Sequence, residues 1–168
     1  DGQWGVGENT TFSGFLAKTE TQGISDDDLA LRISGAHDGE LWSYNASYME
    51  VGAGFNPEVG FLSRRDYRNV NLYAQRRIRF DDSSRILEFS PHASYSGYWN
   101  FNDVYETGRL HVDNSIRWKN GSMLATAVNF THEGVTDAFE IVEGVVVPQG
   151  EYDHEELSIF SSTDNSAP

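Results

Sequence analysis

Two neighbouring stretches hold the side chains best suited to acid–base chemistry. Glu88 and His92 lie in "RILEFSPHASYSGYW" (85–99), and Arg109, His111 and Asp113 lie in "TGRLHVDNSIRW" (107–118). If these are adjacent strands, side chains two apart share a face, and the polar faces bring all five together. Such a group could bind a metal ion, do general acid and base work, or line a wet lumen. Retaining glycosidases need carboxyls ~5–5.5 Å apart and inverting ones ~6.5–9.5 Å apart, so Glu88 with Asp113 is the pair to test for that chemistry, with His92 and His111 beside it.

The segment "SGYWNFNDVYE" (96–106) offers a second kind of site. Tyr98, Trp99 and Phe101 present flat apolar faces suited to a sugar ring, while Asn100, Asn102, Asp103 and Glu106 supply hydrogen bonds to hydroxyls. The competing reading makes these aromatics interfacial or core residues. No metal centre and no cofactor is expected. The chain has no cysteine, and none of its five histidines has a second histidine at helical spacing. "SDDD" (25–28) and "NFND" (100–103) hold oxygen ligands but do not follow the calcium-loop pattern.

The elements that position these residues are strands. In 85–99 the odd positions Leu87, Phe89, Pro91, Ala93, Tyr95, Gly97 and Trp99 form an oily side, and the even positions are mostly polar. In 107–118 Leu110, Val112, Ile116 and Trp118 oppose Arg109, His111, Asp113, Ser115 and Arg117, with Asn114 a polar intruder on the apolar side. "KNGS" (119–122) then carries the Asn-Gly hairpin signal, so 122–132 returns antiparallel. Residues 10–19, 29–38, 40–50, 67–80 and 151–162 read as five further strands. The expected fold is therefore all-β, an antiparallel up-and-down meander of about eight long strands, forming a barrel or part of one. Its length of 168 residues suits one domain, 1–168.

Charge narrows the partners. With 26 acidic against 12 basic residues and a net charge of −14, a nucleic-acid partner is not expected. Seven arginines nevertheless cluster between Arg64 and Arg85, as an anion patch or as a face paired to carboxylates. No apolar run is long enough for a transmembrane helix, and "DGQWGVGENTT" lacks the pattern of a signal peptide.

"SGFLAKTE", "DDLALRIS", "LWSYNASYMEVGAGFNPEVGFLSRRDYRNV" and "FEIVEGVVVPQGEYDHEELSIFSSTD" occur in that order along nearly the whole chain. Together they resemble the barrel region of an uncharacterised bacterial family of outer-membrane β-barrel proteins, in which a family-9-type carbohydrate-binding-like domain precedes the barrel. The specific parts are "FNPEVGFLSRRDY" (55–67) and "GVVVPQGEY" (144–152). The resemblance implies a section of a larger barrel protein in the outer membrane, associated with glycan recognition or uptake at the cell surface, with membrane and carbohydrate as partners.

The alternation is equally that of a soluble two-sheet β-sandwich, secreted or periplasmic. In that alternative the chain is a glycoside hydrolase or glycan-binding module. Gly35, Asn114 and Thr126 on apolar faces, the charge and the mean hydropathy of −0.52 favour it. Strand length and the resemblance favour the membrane barrel. An unclosed sheet would also self-associate through its edge strands. "FNPEVGFLSRRDY" itself reads as a long connection, with Phe55, Val59 and Phe61 tucking it against the sheet.

Overall fold

A computed structural model of the chain describes residues 1–23 and 27–163. Twelve strands run in order: β1 (Gly2–Val6), β2 (Thr10–Lys18), β3 (Leu29–Asp38), β4 (Trp42–Val51), β5 (Tyr67–Arg76), β6 (Ile78–Arg79), β7 (Ile86–Trp99), β8 (Tyr105–Trp118), β9 (Met123–Val135), β10 (Phe139–Val142), β11 (Val145–Val147) and β12 (Gly150–Ser162). Ten of them make one antiparallel sheet in the order β1-β2-β3-β4-β5-β7-β8-β9-β12, with β6 also on β7. The strands β10 and β11 form a separate hairpin. The up-and-down antiparallel meander is as the alternation predicts. The sheet is not closed, since β1 and β12 do not pair, and among the described residues no second sheet packs on it to make a sandwich.

Sequence reading misses β1, whose Trp4 stands between Gly2 and Gly5, and the β10–β11 hairpin, which is too short to show a period. "KNGS" holds a four-residue loop instead of a two-residue turn. Gly121 takes φ 84°, Trp118 N–H donates to Ser122 O at 2.9 Å, and Asn120 Oδ1 accepts from Ser122 N–H at 3.1 Å.

The register fixes two faces. One row runs Ser13, Ser34, Ser47, Asn71, Ser96, Arg109, Thr131 across seven strands, each the partner of the next. The adjacent row, on the opposite face, runs Trp4, Phe12, Gly35, Ala46, Leu72, Tyr95, Leu110, Phe130. The apolar belt narrows only on the edge strand β12, where Asp153 and Glu155 take its positions.

Burial is inverted relative to a protein folded in water. Ser43, Ser47, Asn69, Ser90 and Asn129 are buried, and all five lie on the polar face. Leu16, Ile33, Leu72, Leu157 and Ile159, on the apolar face, stay about half exposed or more. Accessible surface totals 11709 Å², against the roughly 8,300 Å² of a compact monomer of 18.8 kDa.

The connections are equally lopsided. At one end of the sheet residues 7–9, 39–41 and 119–122 make short turns, and 77–85 carries β6. At the other end the connections are 19–28, 52–66, 100–104 and 136–149. The 52–66 connection folds back as a plug over the loop end of the polar face. Phe55 is buried with Ala30, Val51 and Tyr67, and Leu62, Met49 and Tyr98 pack around them. Val59 and Phe61 do not tuck in, being 105% and 94% exposed.

Gly52 starts this plug because its missing side chain lets the chain at Asp27 pass. A Cβ there would lie 2.0 Å from the Asp27 carbonyl oxygen, and Gly54 N–H donates to that same oxygen. Gly52→Ala is expected to cost about 1–3 kcal/mol in denaturant unfolding. Gly5→Ala, with open space at its Cβ, should stay within about 0.5 kcal/mol.

Candidate functional site

The β7–β8 register places His92 opposite Asp113 and Ser94 opposite His111, so both imidazoles meet one carboxylate on the polar face. His92 Nδ1 abuts Asp113 Oδ1 without the alignment of a hydrogen bond, leaving that buried oxygen with no protein donor. His111 Nε2 stands 3.5 Å from Asp113 Oδ2, and the two rings are 4.8 Å apart between centroids. One ligating atom from each of the three residues lies within 4.8 Å of the others.

A third strand orients the cluster. Asn129 on β9 is the register partner of His111 and is 5% exposed. Its Nδ2 donates to Glu156 Oε2 at 3.1 Å, and its Oδ1 accepts from Arg109 Nη2 at 3.0 Å, so the amide orientation is set from both ends. The 2.6 Å contact of His111 Nδ1 with Asn129 Oδ1 is then an N–H donated by the imidazole. Sequence reading missed Asn129 and Glu156, although the Asn-Gly turn that joins β8 to β9 was a signal for Asn129; Glu156 comes from β12, beyond the 136–149 connection.

Glu88 is not part of this group. It pairs with Arg117, four residues from Asp113 along β8, or about 13 Å. Its carboxylate accepts from Arg79 Nε at 3.2 Å and from the Ser90 hydroxyl at 2.8 Å. A Glu88–Asp113 acid–base pair at glycosidase spacing is therefore not assembled.

The aromatic platform also divides. Tyr98 and Trp99 are consecutive in β7 and project to opposite faces. Tyr98 joins the plug on the polar face, with the Arg64 guanidinium 4.7 Å over its ring and Arg64 paired to Glu106. Trp99 stacks on Tyr105 at 5.0 Å on the apolar face, and Tyr105 stacks in turn on His132 at 4.7 Å. Phe101 lies under the Arg68 guanidinium at 5.2 Å, and Asp103 pairs with Arg68 at 2.8 Å. Asn102 N–H donates to Asn100 Oδ1, which also accepts from Val104 N–H. Asn100 Oδ1 and Asp103 Oδ1 are thus engaged by the loop and by Arg68. Within "SDDD", Ser25 and Asp26 lie outside the described residues.

The arginine-rich stretch is likewise paired internally. Arg77 meets Asp38 at 3.3 Å, Arg79 meets Glu88, Arg65 Nη2 donates to Asn56 Oδ1 at 2.9 Å, and Arg76 lies 5.4 Å over the Trp42 ring. Six of the seven arginines are thus paired or ring-capped, and they are spread over both ends of the sheet, which leaves the anion patch without support.

The apolar face resolves the three residues that speak against lipid contact. Asn114 Nδ2 donates to Thr126 Oγ1 at 2.9 Å, so the two polar intruders satisfy each other across β8 and β9. The Phe12 ring covers Gly35, approaching its Cβ position to 3.0 Å. Trp42 and Trp118 stand at the short-turn end of this face, and Trp99 and Tyr105 at the loop end.

No protein-family model matches the chain, and no curated protein or solved structure matches it either.

Proposed function

We propose that this chain forms part of the wall of a bacterial outer-membrane β-barrel. The apolar face meets lipid, the polar face lines an aqueous lumen, and the long loops gather at one rim. The inverted burial of the two faces carries this reading: side chains of the polar face are the buried ones, and large apolar side chains of the other face are exposed. In water such a contiguous apolar face would be an association surface; against lipid it is the expected exterior.

Three features support it. Strands β2–β5 have nine or ten residues, the length that crosses a bilayer at a tilt, and β7–β9 and β12 are longer. Aromatic residues stand near both ends of the apolar face, as in barrel girdles. Three of the four connections at one end are turns of three or four residues, and those at the other end run from five to fifteen, as on the two sides of outer-membrane barrels. Both edges of such a wall must be paired in lipid, by further strands or by other copies. The solute class we assign to the lumen is hydroxyl-rich, glycans included, because serine, asparagine, threonine and histidine dominate the centre of the polar face.

Refolding tests the wall directly. Dilution from urea into detergent or vesicles should yield a strand-rich circular dichroism spectrum and a gel band that shifts on boiling, whereas detergent-free buffer should yield aggregates. A monodisperse, folded monomer in detergent-free buffer, unchanged by detergent, contradicts the reading. Titration calorimetry with soluble oligosaccharides tests the solute assignment separately; no heat removes it and leaves the wall in place.

A further inference from the structure

The cluster of His92, His111 and Asp113 has the makings of more than polar lining. We infer that it is a binding site for a divalent transition-metal ion of the zinc, cobalt or nickel kind, with at least one coordination position open towards the polar face. The inference rests on the geometry of β7, β8 and β9 and is independent of what covers the apolar face.

The donor set is two imidazoles and one carboxylate, each brought by cross-strand register. Imidazole suits zinc, cobalt and nickel, whereas calcium and magnesium take oxygen ligands. Orientation is the second argument. Asn129 Oδ1 accepts a hydrogen bond from His111 Nδ1–H, so in the neutral ring Nε2 presents a lone pair towards Asp113 Oδ2 at 3.5 Å. Two acceptors facing one another at that distance are served by a cation between them. Donors at ~2.0–2.2 Å from a tetrahedral ion lie about 3.4 Å apart along each edge, which matches that separation.

The other carboxylate oxygen brings in the second imidazole: Asp113 Oδ1 is buried against His92 Nδ1. The Asn129–Glu156 pair behind His111 is the kind of outer support that fixes a metal-binding imidazole. Its place in a polar face shared with Tyr73 and Ser94 leaves the fourth position to water or solute.

Cobalt(II) supplies the test, because its visible absorption bands report coordination geometry. The folded full chain, titrated with cobalt(II), is expected to develop one saturable set of bands per chain, displaced by zinc. His92→Ala and His111→Ala should each abolish them. Asn129→Ala should weaken binding roughly 10–100-fold without removing a ligand. His37→Ala and His154→Ala, outside the cluster, should leave the titration unchanged. Asp113→Asn keeps the shape of the side chain and covers the case in which a histidine variant fails to fold. Absence of saturable bands from the wild-type chain overturns the site, as does binding that survives the His92, His111 and Asp113 substitutions in folded protein.

Discussion

Leu110→Arg is expected to destabilise the lipid-folded chain by about 2–4 kcal/mol, the range for a cation facing mid-bilayer on a barrel exterior. Leu110 stands in the centre of the apolar belt, between Tyr95 and Phe130 in register. Ser94→Arg, one strand away on the polar face, should cost under about 1 kcal/mol because an arginine there remains in water. Urea titration of folding into vesicles measures both. The contrast is diagnostic. Leu110 is 39% exposed, so if its face met water an arginine there would also cost little and the contrast would vanish.

The second large effect lies in the plug. Phe55→Ala should cost about 3 kcal/mol, since it empties the buried cluster that holds 52–66 over the sheet. The readout is tryptic cleavage after Arg64 and Arg65, which Tyr98, Glu106 and Asn56 hold in place in the docked loop. A loss of that size corresponds to roughly 100-fold faster cutting when the loop opens and closes faster than it is cleaved. Phe61→Ala, at 94% exposure, should cut at the wild-type rate. Equal rates for Phe55→Ala and wild type would mean that other contacts dock the loop.

The strands were legible because period two records which face each residue takes. Ser94 and Leu110 could be assigned to opposite faces from "HASYSGYW" and "TGRLHVDN" alone. Loops have no such period, which is why Phe55, Val59 and Phe61 read alike although only Phe55 is buried. The three residues of the candidate cluster were legible too. Alternation in two strands taken as neighbours put His92, His111 and Asp113 on one face, but only the register shows that Glu88 sits four residues too far along and belongs to Arg79. Asn129 needed a third strand. Tyr98 and Trp99 were grouped by sequence neighbourhood, and the pleat then sends neighbours apart. Whether the sheet closes is set by what pairs with β1 and β12, and alternation carries no record of a partner strand.

Bromine-labelled lipids test the central claim most directly, because all four tryptophans, Trp4, Trp42, Trp99 and Trp118, lie on the apolar face. With the chain folded into vesicles, acyl-chain bromines are expected to quench tryptophan emission strongly while iodide in the buffer quenches it weakly. Strong iodide quenching with no effect of brominated lipid would place that face in water and contradict the account.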